Sequence, residues 1–150
     1  MVANELFDGQ WQVVAWEQLY DDGRRELPMG DRLEGFICYS PDGRMVCMIS
    51  RADRARFEKG GQWNAPDEEK ARAYDSMLAY AGRYSVDGDT VTHFVDMSLF
   101  PNWKGGEQKR KFALRADGTL ELTARLEAGT PQARTARLAW RRAPSQGVSE

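Results

Sequence analysis

The clearest structural signal in the chain is LEGFICYSPDGRMVCMISR, residues 33–51. Two alternating segments flank the turn Pro41-Asp42-Gly43, in which the proline presets the second turn position and the glycine supplies a left-handed residue. This turn predicts a three-residue hairpin loop that pairs Ser40 with Arg44 and so fixes the register. One face of the hairpin then carries Leu33, Gly35, Ile37, Tyr39, Met45, Cys47, Ile49 and Arg51, and the other carries Glu34, Ser40, Arg44 and Ser50.

The same alternation continues along most of the 150 residues, with turn signals roughly every 8 to 12 residues, which is typical of an antiparallel sandwich or barrel. One helix is predicted near residues 66–81. Pro66 and the acidic run Asp67-Glu68-Glu69 favour a helix start, because the N-terminus of a helix attracts negative charge, and Gly82 offers a stop. The predicted class is therefore all-β with one inserted helix.

Two later turns set the inward faces of other strands. The turn Ala116-Asp117-Gly118 pairs Arg115 with Thr119, and this register carries Arg110 onto the apolar face beside Ala124. The turn at Asp87-Gly88 admits two registers. A loop of two or four residues is favoured because it makes one face apolar; that face carries Tyr84, Val86, Val91, His93, Val95 and Met97. A three-residue loop would instead pair Arg83 with His93.

Composition excludes several classes of protein. The 21 Lys and Arg residues balance 23 Asp and Glu residues and are interspersed with them, so we expect no nucleic-acid partner and no anionic membrane surface. The apolar runs are far shorter than the ~20 residues of a membrane helix. Glu5 and Asp8 lie where a signal peptide would be apolar, which predicts a cytoplasmic protein. We expect one domain over residues 1–142 and a flexible C-terminal tail over 143–150.

Metal and disulfide chemistry are not expected. The sequence holds one His and two Cys, and the hairpin register points Cys38 and Cys47 to opposite faces. A disulfide between them is therefore not predicted, in agreement with a reducing compartment. No metal-ligand cluster and no glycine-rich phosphate loop is found, so we expect neither a metal nor a cofactor.

Several motifs together resemble the lipocalin-like domain family of bacteria and fungi. Gly9-Gln10-Trp11 has the Gly-x-Trp form found at the closed end of lipocalin barrels. The other matching segments are YSPDGRM at 39–45, YAGRY at 80–84, VTH at 91–93, LFPNW at 99–103 and LAWRR at 138–142. The resemblance covers about Leu6 to Arg142. It implies an up-and-down antiparallel barrel of about eight strands enclosing a small ligand cavity.

The chain departs from secreted lipocalins in four respects. We expect no signal peptide, no disulfide pair and no final helix of that superfamily, and we expect the inserted helix near residues 66–81. Transport of lipophilic molecules outside the cell is accordingly not implied.

Three residues are candidates for catalysis. His93, the single histidine, lies on an apolar face, where an imidazole can move a proton near neutral pH or can be held structurally by a Tyr or a backbone carbonyl. Arg110 faces inward and needs an anion, which could be a ligand carboxylate, an enolate or Glu17; it could instead lie at the barrel mouth or close over Trp11. Alternation from Trp11 points Glu17 inward as a second acid or base, unless a β-bulge turns it out and Trp16 in.

Six further residues are candidates for ligand contact. Tyr39 and Tyr84 could donate hydrogen bonds to a ligand oxygen or could cap the core. Trp103 lies in the loop at 101–106 and could cover the cavity mouth or fold back onto Phe100. The remaining expected contacts are Arg51, Phe112 and Trp140.

Two functions stay open. In the first, the barrel binds a small, largely apolar or aromatic molecule and acts on it as a cofactor-independent isomerase, cyclase or lyase, with His93 or Glu17 moving a proton and Arg110 stabilising an oxyanion. In the second, it is a non-catalytic carrier or sensor of an apolar carboxylate anchored by Arg110. A polar pair at the pocket floor would favour catalysis, whereas Arg110 as the sole polar group would favour binding. The exposed edge or the helix could also support a homodimer.

Overall fold

A computed structural model describes residues 7–144, which fold around a single closed sheet. Residues 145–150, most of the expected tail, lie outside the described residues. In chain order the strands are β1 (Gly9–Tyr20), β2 (Arg25–Glu26), β3 (Leu33–Tyr39), β4 (Arg44–Arg51), β5 (Met77–Asp87), β6 (Thr90–Ser98), β7 (Glu107–Leu114), β8 (Leu120–Leu126) and β9 (Arg134–Arg142), and one helix, α1 (Asp67–Asp75), precedes β5.

The eight long strands form an up-and-down antiparallel barrel, as predicted. Each pairs with its neighbour along the chain, and β9 pairs with β1 to close the sheet. The two-residue β2 adds only to the end of β1 at Gln18 and Leu19. Because β9 pairs with β1, the sheet curls into a barrel and the inward side chains of all eight long strands share one interior.

The strand registers agree with the turns in the sequence. Tyr39 lies opposite Met45 across the first hairpin, and Leu114 lies opposite Leu120. Tyr84 lies opposite His93, so the two-residue form of the loop after Asp87 is the one adopted. Cys47 is buried and Cys38, on the other face, is half-buried; both are free thiols.

The helix is shorter than predicted. It ends at Asp75, and Ser76 terminates it by donating its hydroxyl hydrogen bond to the carbonyl of Ala73. Met77 already belongs to β5, where Leu78 and Ala81 pair with residues of β4 instead of continuing the helix. Tertiary strand pairing therefore overrides the helical spacing of residues 76–81.

The barrel has a closed end and an open end. The short turns after β3, β5 and β7 lie at the closed end, where Trp11 and Phe7 are fully buried. The Arg142 guanidinium lies 4.3 Å from the centre of the Trp11 ring, so β9 supplies the arginine that closes over this tryptophan, and Arg110 does not. The longer segments at 52–66, 99–106 and 127–133 lie at the open end.

Two irregularities redirect side chains. The pairing of β1 with β9 shifts between Val13 and Ala15, and the pairing of β5 with β6 shifts between Ala81 and Gly82. When one strand of a pair contains an extra residue, the side chains beyond it that would have pointed inward point outward, and the others point inward. Met97, expected on the inward face, is consequently 72% exposed.

Candidate functional site

A cavity of about 180 Å³ occupies the barrel interior. It is lined by Trp16, Gln18, Ile37, Cys47, Leu78, Tyr80, His93, Trp103, Gln108, Arg110, Leu122, Leu126, Arg134, Ala136, Leu138 and Trp140. A benzene molecule fits an apolar protein cavity of ~150 Å³, so this volume suits a one-ring molecule with short substituents. Within residues 7–144 the lining includes no aspartate or glutamate, while hydroxyl, amide, indole and guanidinium groups supply hydrogen-bond donors.

His93 lies at the inner wall of the cavity between two tyrosines. It is 1% exposed. Its Nε2 lies 2.7 Å from the Tyr39 hydroxyl and its Nδ1 lies 2.7 Å from the Tyr80 hydroxyl. β3, β5 and β6 supply one residue each, so the barrel register itself assembles this Tyr39-His93-Tyr80 cluster.

Burial dominates the electrostatics of the cluster. It lowers the pKa of His93 to about 3, and the positive charge of Arg110 acts in the same direction. Burial also raises the pKa of Tyr39 and of Tyr80 well above the ordinary tyrosine value. All three groups are therefore neutral at pH 7.

The hydrogen atoms of this cluster can be assigned from its surroundings. A neutral imidazole has one N–H donor and one acceptor nitrogen, so one tyrosine donates to His93 and the other accepts from it. Tyr39 is 0% exposed, and among residues 7–144 its hydroxyl has no hydrogen-bond partner other than His93. If Tyr39 accepted, its own O–H would be buried without an acceptor, at a cost of about 1–3 kcal/mol.

Tyr39 therefore donates to Nε2, and the Nδ1–H of His93 donates to the Tyr80 oxygen. This arrangement leaves the hydroxyl proton of Tyr80 for the cavity that Tyr80 lines. Trp103 packs edge-on against the Tyr80 ring, with 5.6 Å between ring centres. The cluster thus offers the cavity one oriented donor and no basic nitrogen.

Arg110 lines the same cavity, as its register predicts. Its guanidinium donates to the Lys109 carbonyl at 3.0 Å and to the Gln108 side-chain oxygen at 3.1 Å. No carboxylate among residues 7–144 lies within ion-pair distance of it, so its suggested pairing with Glu17 is wrong. Arg134 also lines the cavity but is paired with Glu127 and with Gln18.

Glu17 does not face the cavity, contrary to the alternation counted from Trp11. The pairing shift between Val13 and Ala15 turns Trp16 inward and Glu17 outward, which is the bulge alternative. Outside the barrel, Glu17 accepts hydrogen bonds from Arg25 at 2.8 Å and from Arg137 at 3.0 Å. Burial alone would raise the pKa of Glu17, but these two arginines hold it below its ordinary value.

The structure separates the expected ligand contacts into two groups. Trp103 and Trp140 line the cavity. Trp103 lies in a short 3-10 turn at the open end and also packs against Phe100, so both of its expected arrangements occur together.

The other four residues lie away from the cavity. Tyr39 stands behind His93, and Tyr84 donates to the Ser40 carbonyl at the closed end. Phe112 packs edge-on against Phe7. Arg51 is exposed and lines an outer groove beside α1, because β4 ends there.

The sequence did not single out Gln18, Tyr80, Gln108 and Arg134 as cavity residues, and it offered Trp16 only as the bulge alternative. Tyr80 was hidden because the helical spacing at 66–81 assigned it to a helix. Trp16 and Gln18 depend on the bulge in β1. Gln108 could have been found, since it alternates with Arg110 on the same strand.

Over residues 7–144, no group of three or more His, Cys, Asp and Glu side chains could hold a metal ion. No helix in that part of the chain has the length and apolar character needed to cross a membrane.

Comparisons with known proteins place the chain in a family. A family model described as a lipocalin-like domain matches residues 8–143. The 4'-hydroxy-3'-methoxypropiophenone carrier protein of Aspergillus oryzae is 37% identical over 87 residues, which are 53% of this chain and 78% of that protein. A lipocalin-like protein of Bacteroides uniformis is 16% identical, with 92% of this chain and 99% of that chain covered and a TM-score of 0.47. A protein of Bacteroides eggerthii is 14% identical, with coverages of 88% and 98% and a TM-score of 0.42. The chain belongs to the lipocalin-like domain family.

Proposed function

We propose that this barrel is a non-catalytic carrier of a small aromatic molecule that has an oxygen acceptor, such as a ketone, on a substituent. The proposal rests on the Tyr80 hydroxyl. This hydroxyl accepts the hydrogen bond of His93, so its own proton is free to be donated to a ligand in the cavity. The cavity holds about one aromatic ring, and most of its polar groups are hydrogen-bond donors. The name of the Aspergillus oryzae relative, a carrier of an aryl ketone, supports the same ligand class.

The polar pair formed by Tyr80 and His93 does not favour catalysis here. A proton shuttle needs a nitrogen that can gain and lose a proton near the working pH. Both ring nitrogens of His93 are engaged, and its pKa of about 3 keeps the imidazole neutral. Glu17, the other acid or base considered, lies outside the barrel.

The test is a titration of the purified protein with 4'-hydroxy-3'-methoxypropiophenone, followed by calorimetry. We expect micromolar to submillimolar binding to the wild type and a loss of about 3- to 10-fold in affinity for Tyr80→Phe, the effect of one neutral hydrogen bond. Tyr74→Phe, on the exposed side of α1, is the matched control and should bind like the wild type.

Mass spectrometry of the recovered compound separates the two functional classes. A carrier returns the ketone unchanged after prolonged incubation. Conversion to an isomer or fragment by the wild type, absent in the His93→Gln variant, would overturn the carrier proposal in favour of acid-base catalysis.

Two further expectations belong to this proposal. The free thiols of Cys38 and Cys47 are in keeping with the reducing cytoplasm as the place of action. A homodimer through the helix or an exposed edge stays a prediction, for which size-exclusion chromatography with light scattering is the direct measurement.

A further inference from the structure

The barrel wall is incompletely paired between β7 and β8. Their register covers four residue pairs, from Lys111 with Thr123 to Leu114 with Leu120. Both strands continue beyond this ladder, β7 back to Glu107 and β8 on to Leu126. In this part of the wall no pairing joins residues 107–110 to residues 124–126, so the barrel has a lateral gap.

Arg110 occupies this gap. It lines the inner cavity, and it also lines a hollow of about 420 Å³ on the outer surface of the barrel. Arg110 is the one residue shared by the two linings. The rest of the outer hollow is formed by Thr90, Lys109, Lys111, Thr123, Ala124, Arg125 and Thr135. The half-buried guanidinium therefore connects the ligand cavity with the outside through the wall.

The charge at the gap is positive and incompletely compensated. Among residues 7–144, the Arg110 guanidinium donates to two neutral oxygens, those of Lys109 and Gln108, although it has five N–H donors. Arg125, by contrast, pairs with Asp21 at 2.6 Å, and Lys109 lies 3.9 Å from Glu107. The hollow has no acidic residue in its lining, and Lys111, which has no ion pair among residues 7–144, adds to the positive field of Arg110.

We propose that the natural ligand carries a carboxylate as well as its aromatic ring, and that this carboxylate lies in the gap and pairs with Arg110. The inference rests on the proposed carrier function and narrows its ligand class. A carboxylate is the group that matches the planar fork of a guanidinium with two parallel hydrogen bonds. The aromatic ring would occupy the cavity beside Tyr80, and the gap would give the charged group water on its outer side, which lowers the cost of desolvation.

The experiment compares phenylpropanoate with phenylpropanamide, which has nearly the same shape and no charge. Calorimetry of the wild type should show at least tenfold tighter binding of the acid at low salt, and this preference should shrink as salt is added. The Arg110→Gln variant should bind the acid about 10- to 100-fold more weakly than the wild type does, which is the effect of losing a charge-assisted hydrogen bond. Its affinity for the amide should change by less than about twofold.

Two further variants keep the result interpretable. Arg110→Lys retains the charge without the planar fork and should keep part of the preference, even if Arg110→Gln folds poorly. Arg44→Gln removes an exposed arginine of the closed-end hairpin and should leave both affinities unchanged.

The outcomes separate this inference from the carrier function. Equal affinity of the wild type for acid and amide, or a preference that survives in Arg110→Gln, would overturn the carboxylate inference even if the propiophenone binds. Failure of the propiophenone and both phenylpropyl probes to bind the wild type would overturn both proposals.

Discussion

At the scale of single residues, the hydrogen-bonded cluster of Tyr39, His93 and Tyr80 decides what the site can do. Hairpin registers in the sequence placed His93 and Arg110 on the inward face, and the structure confirms both placements. The sequence offered a Tyr or a backbone carbonyl as the partner of His93. It could not identify Tyr80, which looked helical, or the convergence of two tyrosines on one imidazole, which depends on how the barrel brings β3, β5 and β6 together. Burial, and after it the positive charge of Arg110, lowers the pKa of His93.

The buried neutral histidine makes stability depend on pH. The pKa of His93 is about 3 in the folded chain and 6.5 for an ordinary histidine. Below about pH 6.5 the unfolded chain takes up a proton that the folded chain does not, so the free energy of unfolding falls as pH drops towards 3. The slope should approach about 1.4 kcal/mol per pH unit, and the contribution is complete above pH 6.5.

Urea denaturation at pH 7.5 and pH 5 checks this expectation. From pH 7.5 to pH 5, the free energy of unfolding should fall by at least about 1 kcal/mol more in the wild type than in His93→Gln. The carboxylates are the same in both proteins, so their contribution cancels in this difference. An equal loss in the two proteins would show that His93 takes up a proton in the folded state.

At the scale of elements, bulges and strand ends explain most departures from the sequence predictions. Simple alternation fails beyond Val13 because one extra residue enters β1, and it fails at Met97 because of the second shift. Neither bulge has a Gly or Pro signal at the inserted residue, whereas the turns with such signals were predicted in the correct register. The end of α1 was misplaced because pairing with β4 recruits residues 77–81.

Glu17 provides a test of the bulge in β1. Glu17→Gln should weaken the outer ion pairs with Arg25 and Arg137 and lower the free energy of unfolding by about 0.5–1 kcal/mol, while the affinity for the propiophenone stays within twofold. Glu34→Gln, an exposed change on β3, is the control. A large loss of ligand affinity with unchanged stability would place Glu17 inside the cavity after all.

Gly82 tests the second bulge. A Cβ added at Gly82 would lie 1.8 Å from the Phe94 carbonyl oxygen, which is backbone and cannot move aside alone. Gly82→Ala should therefore destabilise the barrel by about 1–3 kcal/mol, seen as a lower Tm. Gly61→Ala meets nothing nearer than 3.4 Å and serves as the comparison. Equal Tm values for the two variants would mean that the strands can separate there at little cost.

At the scale of the whole molecule, the barrel arises from short local turns and one long-range closure. Turn chemistry and alternation predicted the registers of three hairpins, and the resemblance to lipocalin-like domains implied the up-and-down closed barrel, which the pairing of β1 with β9 confirms. The lateral gap between β7 and β8 could not be predicted, because it depends on strands that diverge beyond a correctly predicted hairpin.

Besides the hollow at Arg110, two spaces among residues 7–144 could hold the propiophenone. The interior cavity measures about 180 Å³, whereas the open groove between α1 and the segment before it measures about 720 Å³ and is lined by Arg51, Arg54 and Phe57 among others. Size alone would favour the groove. The oriented Tyr80 donor and the enclosing aromatic walls favour the cavity.

A crystal structure of the protein grown with 4'-hydroxy-3'-methoxypropiophenone decides between them most directly. We expect the aromatic ring inside the barrel, with a ligand oxygen within hydrogen-bond distance of the Tyr80 hydroxyl. An unoccupied barrel with the compound in the groove beside α1 would show that the interior cavity is not the carrier site.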